Sequence, residues 1–387
     1  VAAAAPAAVA DTFDLVGFDP RGLGRSDPLD CGLTQQQTDA LQPYPQPGGF
    51  AADVAIQRQI VKKCFARGGG KLAYVTTANT ARDIDRIRIA LGERKISYFG
   101  TSYGTYLGSV YASLFPSRTD RIVLDSAVGP GMVWRDQFRS WGPAMEIRFP
   151  DFAVWAAARA ASYGFGATPA AVRATYFRLA AQLDAHPQGE VTGNVFRAVT
   201  RGGLVPNDYF EPLAAFWQAV SRGQAGQPAA ARRDSAPSDS TGPDGSAVFL
   251  GIICNDVAWS KDLSTYRAQL ALDSRRYPLA GSMAANVWPC AFWPVSPREP
   301  AVPITSNGPS NILILQNLRD PATIYTGGVQ LRTTLGHRAR LVSVDQGGHT
   351  VYLPGRNSCA AGIATDFLAT GQLPAADRFC SAQPHTK

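Results

Sequence analysis

Gly100-Thr101-Ser102-Tyr103-Gly104 is a G-x-S-x-G pentapeptide whose neighbours give it meaning. The apolar run Ile96-Ser97-Tyr98-Phe99 reads as a strand that ends at Gly100. Tyr103 to Phe115 reads as a helix rich in small and apolar residues. A serine on a sharp strand-to-helix turn sits on strained backbone, its Oγ lifted clear of the sheet and backbone N–H groups aimed at whatever it attacks. Glycines are expected on either side, because side chains there would clash across the turn. The competing reading is a plain glycine-rich turn; the strand before and the helix after favour Ser102 as a nucleophile.

A serine hydroxyl is a weak nucleophile at neutral pH. It needs a base, and the base needs an orienting acid. The chain has four histidines. His385 lies in the C-terminal tail, His186 in a polar stretch far from any strand end, and His337 between a helix and a strand. His349 follows the strand-like Arg340-Leu341-Val342-Ser343-Val344 through the turn Gln346-Gly347-Gly348, where the base falls in a Ser, Asp, His chain order. The acid should end the strand before. Asn311 to Gln316 is an apolar, β-rich run that leads into Asn317-Leu318-Arg319-Asp320-Pro321, so Asp320 is the candidate. Asp345 competes, but it is so near His349 in sequence that a turn would have to fold back. The bland reading of Asp320 is an Asx turn or a helix cap before Pro321.

A scaffold must hold these side chains together. Phe13 to Asp19 reads as a strand feeding the turn Pro20 to Asp27. Thr77 to Leu91 reads as an amphipathic helix, with Ala81, Ile84, Ile87 and Leu91 at helical spacing, stopped by Gly92. Arg82, Asp83, Asp85, Arg86 and Arg88 on that stretch read as exposed ion pairs. Arg121 to Asp125 reads as another buried strand. Alternating strands and helices predict an α/β fold, a mainly parallel sheet with helices on both faces. From Trp134 to about Pro300 the pattern changes to aromatic-rich helical stretches, with Ala247 to Ile253 as a strand among them. This predicts a core part at 1–133 with the nucleophile, a mainly helical cap at 134–300, and a second core part at 301–387 with acid and base. Ala231 to Ser246, rich in Ser, Asp, Pro and Gly, reads as a mobile loop.

Composition narrows the class. At 387 residues, 45% hydrophobic and 17% charged, the chain can bury a large core. Its net charge of +7 is scattered, so no nucleic-acid-binding arm is expected. No stretch is long enough to span a membrane. Val1 to Ala10 is Ala-rich but lacks a basic start and a long apolar run, and reads as a helix fragment rather than a signal peptide. The six cysteines fall in three local groups: Cys31 and Cys64, Cys254 and Cys290, Cys359 and Cys380. None forms C-x-x-C, and the histidines are too few and misplaced for a zinc site. Neighbour pairing is the simplest of many and would clip three loops; six reduced thiols are the alternative. With scarce Lys and abundant Ala, as in chains from high-GC bacteria, this favours an oxidising, extracellular setting.

Several segments resemble the secreted actinobacterial tripeptidyl aminopeptidases and their proline-iminopeptidase relatives, serine exopeptidases of the α/β-hydrolase fold. They are Val16 to Ser26, Asn79 to Asp85, Gly100 to Gly108, Arg121 to Asp125, Cys254-Asn255-Asp256, Asp320 to Thr323, Gly347-Gly348-His349, and the stretch from Cys359 to Cys380. The resemblance implies the triad Ser102, Asp320 and His349, with Tyr103 N–H as one oxyanion donor, peptide substrates, and no metal or cofactor. It also implies strands and an HGGPG-like loop ahead of the Asp19 strand, which would supply the second oxyanion N–H. That loop is expected on a further N-terminal fragment of the same protein. An exopeptidase must also bind a free α-ammonium; Asp256, beside Cys254, is the first candidate and Glu211 the second. Two rival functions remain: an esterase or lipase on the same scaffold, and a non-catalytic α/β-hydrolase-fold binding module.

Overall fold

The computed structural model describes residues 5–206, 208–225, 245–352 and 357–383. Five apolar runs form one parallel sheet: β1 (Ile96–Thr101), β2 (Thr119–Asp125), β3 (Ile312–Arg319), β4 (Ala339–Gly347) and β5 (Arg378–Cys380), in the spatial order β1-β2-β3-β4-β5. Successive side chains on a strand point to opposite faces. Ile122, Leu124, Ile312, Ile314 and Leu341 therefore share one face. Val123, Leu313, Leu315, Val342 and Val344 share the other. Both faces are buried, which is why these strands read as continuous apolar runs.

The longer helices run as follows. α1 (Gly49–Gly68) and α2 (Thr77–Ala90) precede the sheet, and α3 (Tyr103–Leu114) joins β1 to β2. Between β2 and β3 come α4 (Trp141–Ala157), α5 (Pro169–Ala185), α6 (Gly193–Leu204), α7 (Phe210–Ser221), α8 (Ser246–Asn255) and α9 (Leu263–Arg276). α10 (Tyr325–Leu335) joins β3 to β4, and α11 (Ser358–Thr370) joins β4 to β5. Ala112 of α3 and Leu331 and Leu335 of α10 cover one face of the sheet; Ala360, Ala364, Phe367 and Leu368 of α11 cover the other.

The long insertion between β2 and β3 contributes to two cores. Phe149, Phe152, Tyr176, Leu179, Phe196 and Trp217, from α4 to α7, pack on one another in a cluster of their own. Leu250 and Ile253 of α8, with Trp288, instead join Ile60, Ile84, Tyr106 and Val110 of α1 to α3. All three neighbouring cysteine pairs are bonded: Cys31–Cys64, Cys254–Cys290 and Cys359–Cys380. Among the described residues no helix is long and apolar enough to cross a membrane.

Three expectations need correction. Ala247 to Ile253 is part of helix α8, not a strand. It is buried nearly all round, and periodicity alone cannot separate a short buried helix from a buried strand. Phe13 to Asp19 has no regular secondary structure and joins no ladder; Leu15, Val16 and Phe18 stand 42%, 57% and 37% exposed. β1 is an edge of the sheet, and among the described residues no strand lies on its outer side. The charges of α2 are not simple surface pairs. Asp85 is buried between Arg88 and Arg118, while Asp83 and Arg82 reach off the helix to Arg21 and Glu299. Residues 231–244, most of the stretch read as a loop, and His385 lie outside the described residues.

Candidate active site

Ser102 is the hinge between β1 and α3, with φ 55° and ψ −122°. A non-glycine residue with such backbone is strained, and its side chain is thrown off the strand line. The steric need for glycine falls on Gly100, where a Cβ would stand 2.5 Å from the Gly104 carbonyl oxygen and 2.6 Å from the Tyr98 ring. Gly104 has ordinary room, its nearest such neighbour being the Tyr98 hydroxyl at 3.5 Å. That hydroxyl donates to the Gly104 carbonyl at 2.7 Å and fastens the elbow to β1. Tyr103 is the first residue of α3, so its N–H has no acceptor within the helix and lies at the positive end of the helix dipole.

Asp320 follows the last residue of β3 and is buried. One of its oxygens accepts the N–H groups of Ala322 and Thr323, and the other accepts the Thr323 hydroxyl. The same carboxylate faces His349, whose Nδ1 lies 2.9 Å from Oδ2 and 3.1 Å from Oδ1. The turn-capping reading of Asp320 holds, and the same carboxylate also faces His349. Burial pushes the imidazole pKa down, but the charge and hydrogen bond of Asp320 outweigh it, and the balance lies above the ordinary 6.5. An Nδ1–H held by a carboxylate leaves Nε2 as the face able to take a proton. No hydrogen bond joins Nε2 to Ser102 Oγ in this structure; such bonds often tighten only when substrate binds.

The loop bearing His349 is held from every side. Asn317 donates to the carbonyls of Gly348 and Thr350, on either side of His349. Thr350, at φ 70°, donates its amide to the Ser126 hydroxyl. The Asp125 carboxylate accepts the amides of Val351 and Tyr352, while the Asp125 carbonyl accepts the Ser102 amide. Burial raises the Asp125 pKa to about 6 despite those donors. From the insertion between β2 and β3, the Val205 carbonyl accepts the His349 amide at 2.8 Å. Buried Arg148 of α4 donates to the carbonyls of Leu204 and Pro206 on either side of Val205 and pairs with Asp151. Asp151 in turn meets Arg319, the neighbour of Asp320.

The other candidates lie apart from this cluster. Asp256 is buried and accepts the Thr77 amide, the Thr77 hydroxyl and the Trp134 indole N–H; burial raises its pKa to about 6. It lines a cavity of about 230 Å³ with Tyr106, Asn79 and Glu299. Thr77 also meets the Tyr103 hydroxyl, so Asp256 stands one side chain behind the elbow. Glu211 is exposed in the first turn of α7. Asp345 pairs with Arg319 rather than His349, and His337 meets the Gly308 carbonyl. Asp125, Asn317, Val205 and Arg148 carry no motif. Their roles depend on contacts between distant segments; the only local hint was an acid ending the strand Arg121 to Asp125.

A strained serine, an Asp–His pair and a loose N–H at a helix start are the parts of a serine hydrolase. Comparison with known proteins agrees. Residues 277–380 match the family described as TAP-like protein. The chain is 36% identical over 392 residues to a tripeptidyl aminopeptidase of Streptomyces lividans, covering 97% of this chain and 71% of the relative. It is 30% identical over 400 residues to the serine protease Hip1 of Mycobacterium tuberculosis, covering 97% and 76%. It is also 30% identical over 412 residues to a protein of that organism named carboxylesterase B, covering 98% and 76%. The strained elbow, the buried Asp–His pair and these likenesses lead to one conclusion: the chain belongs to the tripeptidyl aminopeptidase family of α/β-hydrolase-fold serine hydrolases.

Proposed function

We propose that this serine peptidase is a secreted exopeptidase that releases short peptides or residues from peptide N-termini through an acyl-enzyme, with Ser102, His349 and Asp320 as its triad. The observation that carries the reading is the hydrogen-bonded Asp320–His349 pair, on a loop tied through Asp125 to the strained Ser102 elbow. Ser102 Oγ attacks the scissile carbonyl while His349 Nε2 takes its proton. Asp320 holds the Nδ1–H tautomer and stabilises the imidazolium. The Tyr103 N–H receives the oxyanion. His349 then protonates the leaving amine, and water repeats the cycle on the acyl-Ser102 ester. Secretion is supported by the three disulfides.

The α-ammonium of the substrate needs a carboxylate. Asp256 already accepts three hydrogen bonds, whereas Glu211 makes no ion pair among the described residues. Both remain candidates, and Asp256→Asn and Glu211→Gln separate them by their KM for free-amine substrates.

A second oxyanion donor completes the mechanism, since one donor is commonly worth about a hundredfold or more in rate. The open edge of β1 and the exposed apolar Leu15, Val16 and Phe18 support a further segment of the protein pairing there and placing a glycine-rich loop over Ser102. If this chain, shown by mass to be alone, turns over a peptide arylamide at about 1 per second or faster, an ordinary enzyme rate, that part of the reading is wrong. The whole reading is tested by fluorophosphonate labelling mapped to Ser102, and by comparing aminoacyl- and tripeptidyl-arylamides with N-blocked versions. The similarity to a protein named carboxylesterase B favours an esterase as the second reading. Faster turnover of simple p-nitrophenyl esters than of any free-amine peptide would select it.

A further inference from the structure

Arg201 of α6 is only 9% exposed, yet its guanidinium makes no hydrogen bond or ion pair among the described residues. Its Nε–H is fully enclosed without an acceptor. The guanidinium lies over the face of Trp141, 3.9 Å from the ring centre. A buried cation without a counter-charge is strongly unfavourable, so folded proteins pair such groups. Two other arginines of this region, buried Arg148 and half-buried Arg135, do have polar partners. Arg148 has Asp151 and two carbonyls, and Arg135 has three carbonyls and Gln269.

The surroundings of Arg201 share the same deficit. Tyr44 is buried beside it and its hydroxyl has no partner. Trp288, 6.1 Å from Trp141 between ring centres, has an unused indole N–H. Guanidinium, hydroxyl and indole N–H are all donors, a set that answers an anion with several lone pairs. The place is next to the chemistry: Trp141 Nε1 donates to the Ala322 carbonyl, two residues beyond Asp320, and the Arg201 charge acts on His349.

We propose that Arg201, with the Tyr44 hydroxyl and the Trp288 indole N–H, forms a subsite for a carboxylate of the peptide substrate. This rests on the peptidase reading above. The guanidinium, seated over the Trp141 ring, would present its fork to the two carboxylate oxygens. The carboxylate has two possible sources, an Asp or Glu side chain near the scissile bond and the C-terminal α-carboxylate of a short peptide.

The test measures binding to the catalytically silent Ser102→Ala protein by calorimetry, so the chemistry need not work for it to be decided. One arm compares peptides with Glu against the same peptides with Gln at each of the residues flanking the scissile bond. The other compares short peptides ending in a free carboxylate with their C-terminal amides. In one arm the acid should bind about tenfold or more tighter, the strength of a charge-assisted hydrogen bond. The same arm names the source. The preference should vanish when Arg201→Gln is added and survive in part with Arg201→Lys. The variant should fold at least as stably as the parent, since it loses an unpaired charge. No preference in either arm, or a preference that persists with Arg201→Gln, overturns the proposal. A failure of the triad reading shows separately, as absence of fluorophosphonate labelling at Ser102 in the unmutated protein.

Discussion

The amide of Ser102 donates to the carbonyl of Asp125 at 3.0 Å, and the carboxylate of that same Asp125 receives the amides of Val351 and Tyr352. One buried residue thus ties the elbow to the histidine loop. Asp125→Asn keeps the shape but turns one acceptor into a donor that faces an N–H. Activity should fall by about tenfold or more, because misplacing a catalytic group by a fraction of an ångström is costly. The pH dependence of stability supplies a sign. The folded pKa of about 6 lies above the ordinary 3.8, so protonation favours the fold. Melting curves should show wild type gaining on the variant as pH falls from 7 through 6 towards 4. A gap that narrows over that range would refute this account of Asp125.

Ser102→Ala should remove fluorophosphonate labelling and leave less than about 1% of the activity, since losing a triad member costs several orders of magnitude. The melting temperature should stay near the parent value, because Ser102 Oγ makes no hydrogen bond among the described residues. Residual turnover above that level would move the nucleophile elsewhere.

Asp320→Asn should lower kcat by about 10⁴, the cost of presenting the wrong imidazole tautomer. The pH profile gives an independent sign. In the proposed mechanism His349 acts as a neutral base, and its pKa lies above the ordinary 6.5 because of Asp320. The acid limb of kcat/KM should therefore fall above pH 6.5 in the parent and move lower in the variant. The same raised pKa means His349 adds stability below pH 6.5 that is lost as pH rises through its folded value.

Gly347→Ala tests the grip of the β2–β3 insertion on the His349 loop. A Cβ there would stand 1.9 Å from Arg148 Nη1 and 2.3 Å from Asp151 Oδ2, so the ion pair must move aside. The backbone of Gly347 is not left-handed, and alanine itself is not strained there. kcat should fall by about tenfold or more with KM little changed, since the Arg148–Asp151 pair braces the segment that holds the His349 amide. Steady-state kinetics with an unchanged kcat would show that the pair does not brace the base.

The sequence was most legible where chemistry is local. G-x-S-x-G between strand and helix, an acid after one buried strand and a histidine after the next are each short-range patterns, and the fold brings Asp320 and His349 together. It was least legible where a residue's meaning comes from a distant partner. Asp85 looked like a surface charge until Arg118 covered it. Phe13 to Asp19 has strand-like residues, but no ladder partner lies beside it among the described residues. Asp256 was singled out as an acid near a cysteine, and the fold spends its oxygens on Thr77 and Trp134. Arg201 lay in an unremarked Thr-Arg-Gly-Gly stretch; only packing reveals that it is buried with nothing to hold.

The disulfides join cysteines 33, 36 and 21 residues apart, and the three intervals neither nest nor overlap. Each cysteine pairs with the next one along. A chain that enters an oxidising compartment from its N-terminal side exposes the members of each pair in succession, with no third thiol between them. Oxidation in order of arrival then yields the native set directly, without a reshuffling catalyst. A fully reduced, unfolded chain presents all six thiols at once, so wrong pairings compete. Consecutive pairing thus asks less of oxidation in chain order than of refolding from the fully reduced state.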